Sequence, residues 1–178
     1  MSKTFAILKP DLVSCPPLAL QALRQILSSK LRITRMALIE KADKSRLRQL
    51  YKEHEGRFYH NRLIRTMGSG PVLLMEMGVK ESSSTVDPIS EWRSMLGPSK
   101  LLKGYPEPES SSTLRWKYAL SDVRNSAHGA DSEASARREL AIFEDQLVPF
   151  DEKKLLEMLS LQNVEGSEDE DEGAENEV

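Results

Sequence analysis

TFAILKPD, residues Thr4 to Asp11, begins with five β-forming or apolar residues and ends at Pro10, which suits a short strand buried on both faces. VLLMEMGV, Val72 to Val79, follows Pro71 and has the same character over eight residues. Between them, Leu31, Ile33, Met36, Leu38 and Ile39 predict a further strand. The intervening segments repeat their apolar residues every three or four positions, as helices do. Pro16-Pro17 opens one such stretch, with Ala19, Ala22, Leu23, Ile26 and Leu27 on a single stripe that ends at Ser28-Ser29. Asp43 caps another, bearing Leu47, Leu50 and Tyr51; a third, with Leu63, Ile64 and Met67, stops at Gly68-Ser69-Gly70. Asp87, with Pro88 at the first helical position, starts the helix containing Trp92.

Beyond Trp92, the residues Tyr118, Leu120 and Val123 predict a last strand, and Asp131 or Ser132 caps a helix with Ala136, Leu140 and Phe143 turned inward. The alternation of strands and helices predicts an α/β (α+β) fold: a single ferredoxin-like sandwich whose four-stranded antiparallel sheet is covered by helices. Its expected limits are 1–150, followed by a helical extension over 151–163, carrying Leu155, Leu156 and Leu159, and a disordered acidic tail over 164–178. The serine-rich stretches ESSST (Glu81 to Thr85) and YPEPESSST (Tyr105 to Thr113) read as surface loops.

At 178 residues the chain suits one domain with an extension, and charge is unevenly spread along it. The formal net charge is −3, yet the segment from Glu165 to Val178 holds eight acids and no base. The preceding 164 residues therefore carry 25 Lys+Arg against 20 acids, a balance of +5. A modestly basic body favours an anionic ligand such as a nucleotide and falls short of a dedicated nucleic-acid site. The tail is available to a protein partner, and Ser167, followed by Glu168-Asp169-Glu170, is a candidate phosphorylation site. One cysteine, Cys15, excludes an intramolecular disulfide and a multi-cysteine zinc site; a reducing compartment and a buried thiol are expected. No window has the apolar length of a membrane span, and no secretory pattern precedes Lys9.

The chemistry concentrates in Arg124-Asn125-Ser126-Ala127-His128-Gly129-Ala130-Asp131-Ser132. A histidine beside a glycine at a helix mouth is accessible and near oriented backbone donors, and neutral imidazole attacks phosphoryl groups. A capping or hydrogen-bonded loop histidine fits the same local pattern. Lys9, Arg93, Arg115 and Arg124 supply the cations that phosphoryl transfer needs to offset charge on phosphate oxygens. Neither a Walker-type nor a Rossmann-type glycine loop occurs.

Taken in order, TFAILKPD, HEGRFYHNRL with MGSGPV (His54 to Val72), EWRSMLGPS (Glu91 to Ser99) and RNSAHGADSEASARRE (Arg124 to Glu139) resemble a nucleoside diphosphate kinase, with the features of its divergent, type-6-like branch. The resemblance covers about Lys3 to Glu144. It implies a kinase that moves the γ-phosphoryl of ATP or another nucleoside triphosphate to nucleoside diphosphates by a ping-pong mechanism through phosphohistidine at His128. Under it, Glu139 orients the histidine and Lys9, Arg93, Ser99 and Arg115 contact the phosphates. Asn125 bonds the ribose, Tyr59 stacks on the base, and Tyr51 lines the site or else belongs to the core. Mg²⁺ travels on the nucleotide's phosphates with Asp131 nearby, and no residue is assigned as a direct metal ligand. The family also suggests a homo-oligomer, although YPEPESSST falls where a loop helps build the subunit interface. Cytoplasm is the expected compartment, mitochondria the alternative. Ala130 stands where the signature carries serine, and Tyr59 where it carries phenylalanine. The alternatives are a weakly active or inactive nucleotide-binding scaffold and a protein-histidine phosphocarrier. His54 and His60 match no catalytic position and are expected at the surface.

Overall fold

The computed structural model describes residues 2–83, 85–100 and 112–157. Strand β1 (Thr4–Leu8) is buried along its whole length. Its side chains alternate between two cores: Ala6 and Leu8 enter one, Phe5 and Ile7 the other. Apolar residues on both faces explain why the strand reads as a continuous greasy run without the alternation of a half-exposed strand.

β2 (Leu31–Ile39) and β3 (Val72–Val79) complete the long part of the sheet, and β4 (Ala127–Gly129) and β5 (Val148–Pro149) are short edges. The spatial order is β4-β1-β3-β2-β5 with every pairing antiparallel. A register shift between Ile33 and Arg35 interrupts the β2–β3 ladder. One face is covered by α2 (Pro16–Ser28) and α5 (Pro88–Leu96), whose Ala22, Ile26 and Trp92 share a core with Leu8 and Met75. On the other face lie α3 (Lys44–Leu50), α4 (His60–Met67) and α7 (Glu133–Ile142), which meet Phe5, Ile7 and Leu74 through Leu47, Ile64 and Ala136.

The expected caps form. Asp43 accepts from the backbone of Ser45 and Arg46, Asp87 from Ile89 and Ser90, and Ser132 from Ser135. Four expectations change. The sheet has five strands; β5 is only two residues long, below what periodicity can register. The last strand is not at Tyr118 to Val123: Tyr118 ends helix α6 (Leu114–Tyr118), which the Thr113 side chain caps at Trp116. The strand is instead Ala127–Gly129, too brief to show a period. Pro10 does stop β1, but it also begins a four-residue helix, α1 (Pro10–Val13), at the first-turn position proline tolerates. Cys15 is half-buried at the start of α2.

Glu81–Ser83 is a single 3₁₀ turn. Residues 152–157 are helical, with Leu155 buried in the core and Leu156 exposed. The expectations for Leu159, for residues 105–111 of the serine-rich loop and for the acidic tail with Ser167 lie outside the described residues. Among the described residues no helix is long and apolar enough to cross a membrane.

Candidate functional site

β4 is held at the sheet edge by β1, with Ile7 opposite His128 and Ala6 opposite Gly129. From the other side, the buried indole of Trp92 donates to the main-chain oxygen of His128 at 3.1 Å. A Cβ on Gly129 would lie 2.5 Å from Trp92 Cδ1 and Nε1, so glycine is what lets the indole come this close. Upstream, Ser126 adopts φ +64°, a left-handed conformation rare outside glycine. Asp11 Oδ2 accepts from the Ser126 backbone at 2.8 Å, and the Ser126 carbonyl accepts from the Lys9 backbone at 2.8 Å. These bonds hold the bend, which lifts the histidine segment from the helix-side loop into the sheet.

α7 runs back over β1, which brings Glu139 to the histidine. His128 Nε2 lies 2.7 Å from Glu139 Oε2, and the carboxylate is buried. Glu139 Oε1 accepts from Arg138 at 3.3 Å, and the same guanidinium reaches Glu53 at 3.1 Å. With Glu139 accepting, Nε2 carries the proton and Nδ1 holds a free lone pair. Among the described residues nothing bonds Nδ1. Tyr51 and Phe5 present edges to the imidazole at centroid distances of 5.7 and 6.4 Å.

A cleft of about 740 Å³ opens over the histidine. Lys9, Tyr51, Tyr59, Arg93, Ser99, Arg115, Asn125, His128 and Glu139 all line it, so the predicted residues converge. Lys9 is buried, and its ammonium donates to Asn125 Oδ1 at 2.6 Å and to the Val123 carbonyl at 3.2 Å. Burial pulls its pKa down to about 8, with Asp11 opposing and Arg115 adding to the fall. Arg115 donates to the Gly97 carbonyl at 2.6 Å, while its buried Nε has no partner. Burial and the neighbouring Arg93 lower it to about 10. Asn125 Nδ2 donates to the main-chain oxygens of Asp122 at 3.1 Å and Ser99 at 3.4 Å.

The family model described as nucleoside diphosphate kinase matches residues 2–147. The chain belongs to the nucleoside diphosphate kinase family. It is 41% identical over 143 residues to nucleoside diphosphate kinase 6 of Danio rerio, which spans 79% of this chain and 74% of that one. The human protein of the same name is 41% identical over 144 residues, with 79% and 70% covered. These relatives put the chain in the divergent, type-6-like branch. A nucleoside diphosphate kinase crystal structure from Aquifex aeolicus superposes with a TM-score of 0.70 at 19% identity, covering 83% of this chain and 99% of that one. This likeness concerns the fold.

Against the family signature, Ala130 is informative. It is buried in the second core, and its N–H bonds the Phe5 carbonyl at 3.2 Å. The serine hydroxyl it lacks leaves no orphan on Glu139, whose second oxygen is taken by Arg138. Tyr51 joins the two readings left open for it: it belongs to the core and touches His128, with a buried hydroxyl that has no partner. Burial, then Glu139, raises its pKa.

His54 is not a surface residue. It lines the cleft, and its Nδ1 lies 3.0 Å from the Tyr59 hydroxyl. The phenol that replaces the family's phenylalanine made this bond possible, and the five-residue spacing was the available signal. His60 is half-buried, with Nε2 unpartnered. Phe58 and Arg62 also line the cleft and carried no signal beyond proximity to Tyr59.

Among the described residues no group of three His, Cys, Asp or Glu is placed to hold a metal. Asp131 is an exposed carboxylate at the cleft, beside Glu53 and Asp122, and is held low by hydrogen bonds from Ser135 and Ser132 against slight burial. That donor set suits Mg²⁺ retained mainly by phosphate and water, not a protein cage.

Proposed function

We propose that the chain is an active nucleoside diphosphate kinase, transferring the γ-phosphoryl group of a nucleoside triphosphate to a nucleoside diphosphate through phosphohistidine at His128. The observation that carries this reading is the His128–Glu139 bond, which leaves Nδ1 as an unprotonated nucleophile in a cleft crowded with cations. Nδ1 attacks the γ-phosphorus, the bond to the β–γ bridging oxygen breaks, and the nucleoside diphosphate leaves. Glu139 stabilises the positive charge that develops on the ring. Arg93 and Arg115 offset charge on the transferring oxygens. Lys9 and Asn125 meet the ribose and phosphates, and Tyr59 supports the base. The unpartnered Tyr51 hydroxyl and Arg115 Nε are donors available to phosphate oxygens. Mg²⁺ on the nucleotide would supply further charge neutralisation, with Asp131 as the carboxylate of this chain nearest its water shell. A second nucleoside diphosphate then takes the phosphoryl group by the reverse path.

The test uses γ-labelled ATP. Acid-labile label on His128 that discharges to added GDP is the expected result, and His128→Ala should abolish it. Nucleotide binding without label favours a scaffold; label that moves only to a protein favours a phosphocarrier.

A further inference from the structure

A second concavity, of about 410 Å³, adjoins the cleft and shares Arg62, Ser121 and Val123 with it. Arg65 and Arg124 complete its polar walls, so three guanidinium groups meet in a groove that no carboxylate lines. Asp122, between Ser121 and Val123, lines the cleft and not the groove. All three arginines are exposed, and among the described residues none has an ion-pair partner. Elsewhere, Arg35, Arg46 and Arg138 each hold a carboxylate.

Arg65 lies in the last turn of α4, where a cation complements the helix dipole. Arg62 sits in the first turn, where the dipole disfavours a cation, and Arg124 is in a loop. Like charges gathered without a counter-charge repel, and an anion between them relieves the repulsion. The groove has an apolar wall as well: Leu120 is 68% exposed, and Val123 lines the same hollow. A small anion would answer the charge and leave Leu120 in water. A stretch of polypeptide that carries several carboxylates answers both.

The sequence holds such a stretch. From Glu165 to Val178 there are eight acids and no base, with Ala174 and Val178 as apolar residues among them. We propose that the groove of Arg62, Arg65, Leu120 and Arg124 is the docking surface for this acidic segment of the same chain. Residues 158–178 lie outside the described residues, and the last described residue is Glu157. From Glu157 to Glu177 is twenty residues, which span about 66 to 72 Å when extended. A compact body of about 150 residues has a radius of gyration of about 15 Å, so half its circumference is about 60 Å. The acids nearest the C-terminus therefore reach the groove from any point on the surface. A tethered segment also acts at a millimolar effective concentration, so a groove with a Kd of about 100 µM is already filled.

A fluorescent peptide of residues 164–178 tests this by anisotropy on the full-length chain. Two forms are compared: the unaltered chain, and one whose eight tail acids are changed to Asn or Gln, which frees the groove. The peptide should bind the amidated chain about tenfold more tightly, the factor expected when a millimolar tethered competitor is removed. Adding Arg65→Ala and Arg124→Ala to the amidated chain should weaken binding about tenfold or more. Adding Arg24→Ala and Arg32→Ala, an equal loss of charge at exposed residues outside the groove, should change it less than twofold. Equal binding to the amidated and unaltered chains overturns the proposal, because the groove is then open to an acidic segment of another protein. Equal losses from the two pairs of substitutions overturn it in favour of general attraction to a basic body. Inorganic phosphate that binds the amidated chain as tightly as the peptide makes the groove a small-anion site and overturns it too.

Discussion

Glu139 stands between His128 and Arg138 with one oxygen on each, and this sharing fixes which imidazole nitrogen is protonated. Glu139→Gln keeps the shape but lets the amide donate to Nε2, which favours the tautomer protonated at Nδ1. The expected loss in kcat runs from about tenfold toward the roughly 10⁴-fold known for an amide beside a catalytic histidine. KM for the nucleotide should change little, and stopped-flow phosphorylation would separate the two. Lys9 sets a pH limit. Its pKa of about 8 means the free protein loses this cation as pH rises past that value, so kcat/KM should fall above pH 8 and Lys9→Met should remove that limb. Stability runs the other way. The unfolded lysine, at 10.5, binds more protons between pH 8 and 10.5, so burial of Lys9 becomes less costly as pH rises through that window.

At the scale of elements, β4 depends on what it packs against. Gly129→Ala would drive a methyl into Trp92 and force a shift of the backbone beside His128. A loss of about 1–3 kcal/mol in urea unfolding is expected, with a fall in kcat larger than the change in KM. β1, α2, β3 and α5 were legible because each is either uniformly apolar and proline-bounded or periodic and capped. β4 was not: three residues, Ala-His-Gly, carry neither a period nor a β-forming majority. α6 was misread because Tyr118 and Leu120 mimic a strand, while the decisive signal was the Thr113 cap. The site residues that matched ordered motifs converge in the cleft. His54, Phe58 and Arg62 escaped because their roles arise only when α4 is brought against the loop at Val123.

At the scale of the whole molecule, a carboxylate is built into the sheet. Glu76 on β3 is 1% exposed and accepts from Lys3, Thr34 and Arg35, the last also held by Glu144. Burial alone would raise its pKa, but the bonds from Arg35, Lys3 and Thr34 prevail and bring it to about 2. Because the folded value lies below the unfolded 4.5, this stabilisation is complete above pH 4.5 and is lost as pH falls toward 2. Glu76→Gln should cost about 3 kcal/mol at pH 7, as for a buried pair with one partner removed, and much less at pH 2. Chemical denaturation at the two pH values measures both. None of Glu76, Lys3, Thr34, Arg35 and Glu144 lines the cleft, so nucleotide turnover per folded molecule should survive the substitution.

β4 pairs with β1 on one side only, which leaves the proposed nucleophile on a strand that can fray without the rest of the sheet opening. Amide hydrogens at Ala127 to Gly129 should therefore exchange with solvent deuterium faster than those of β3 in the empty protein. Occupancy of the cleft would slow them selectively, so deuterium uptake along three residues becomes a clock for substrate residence.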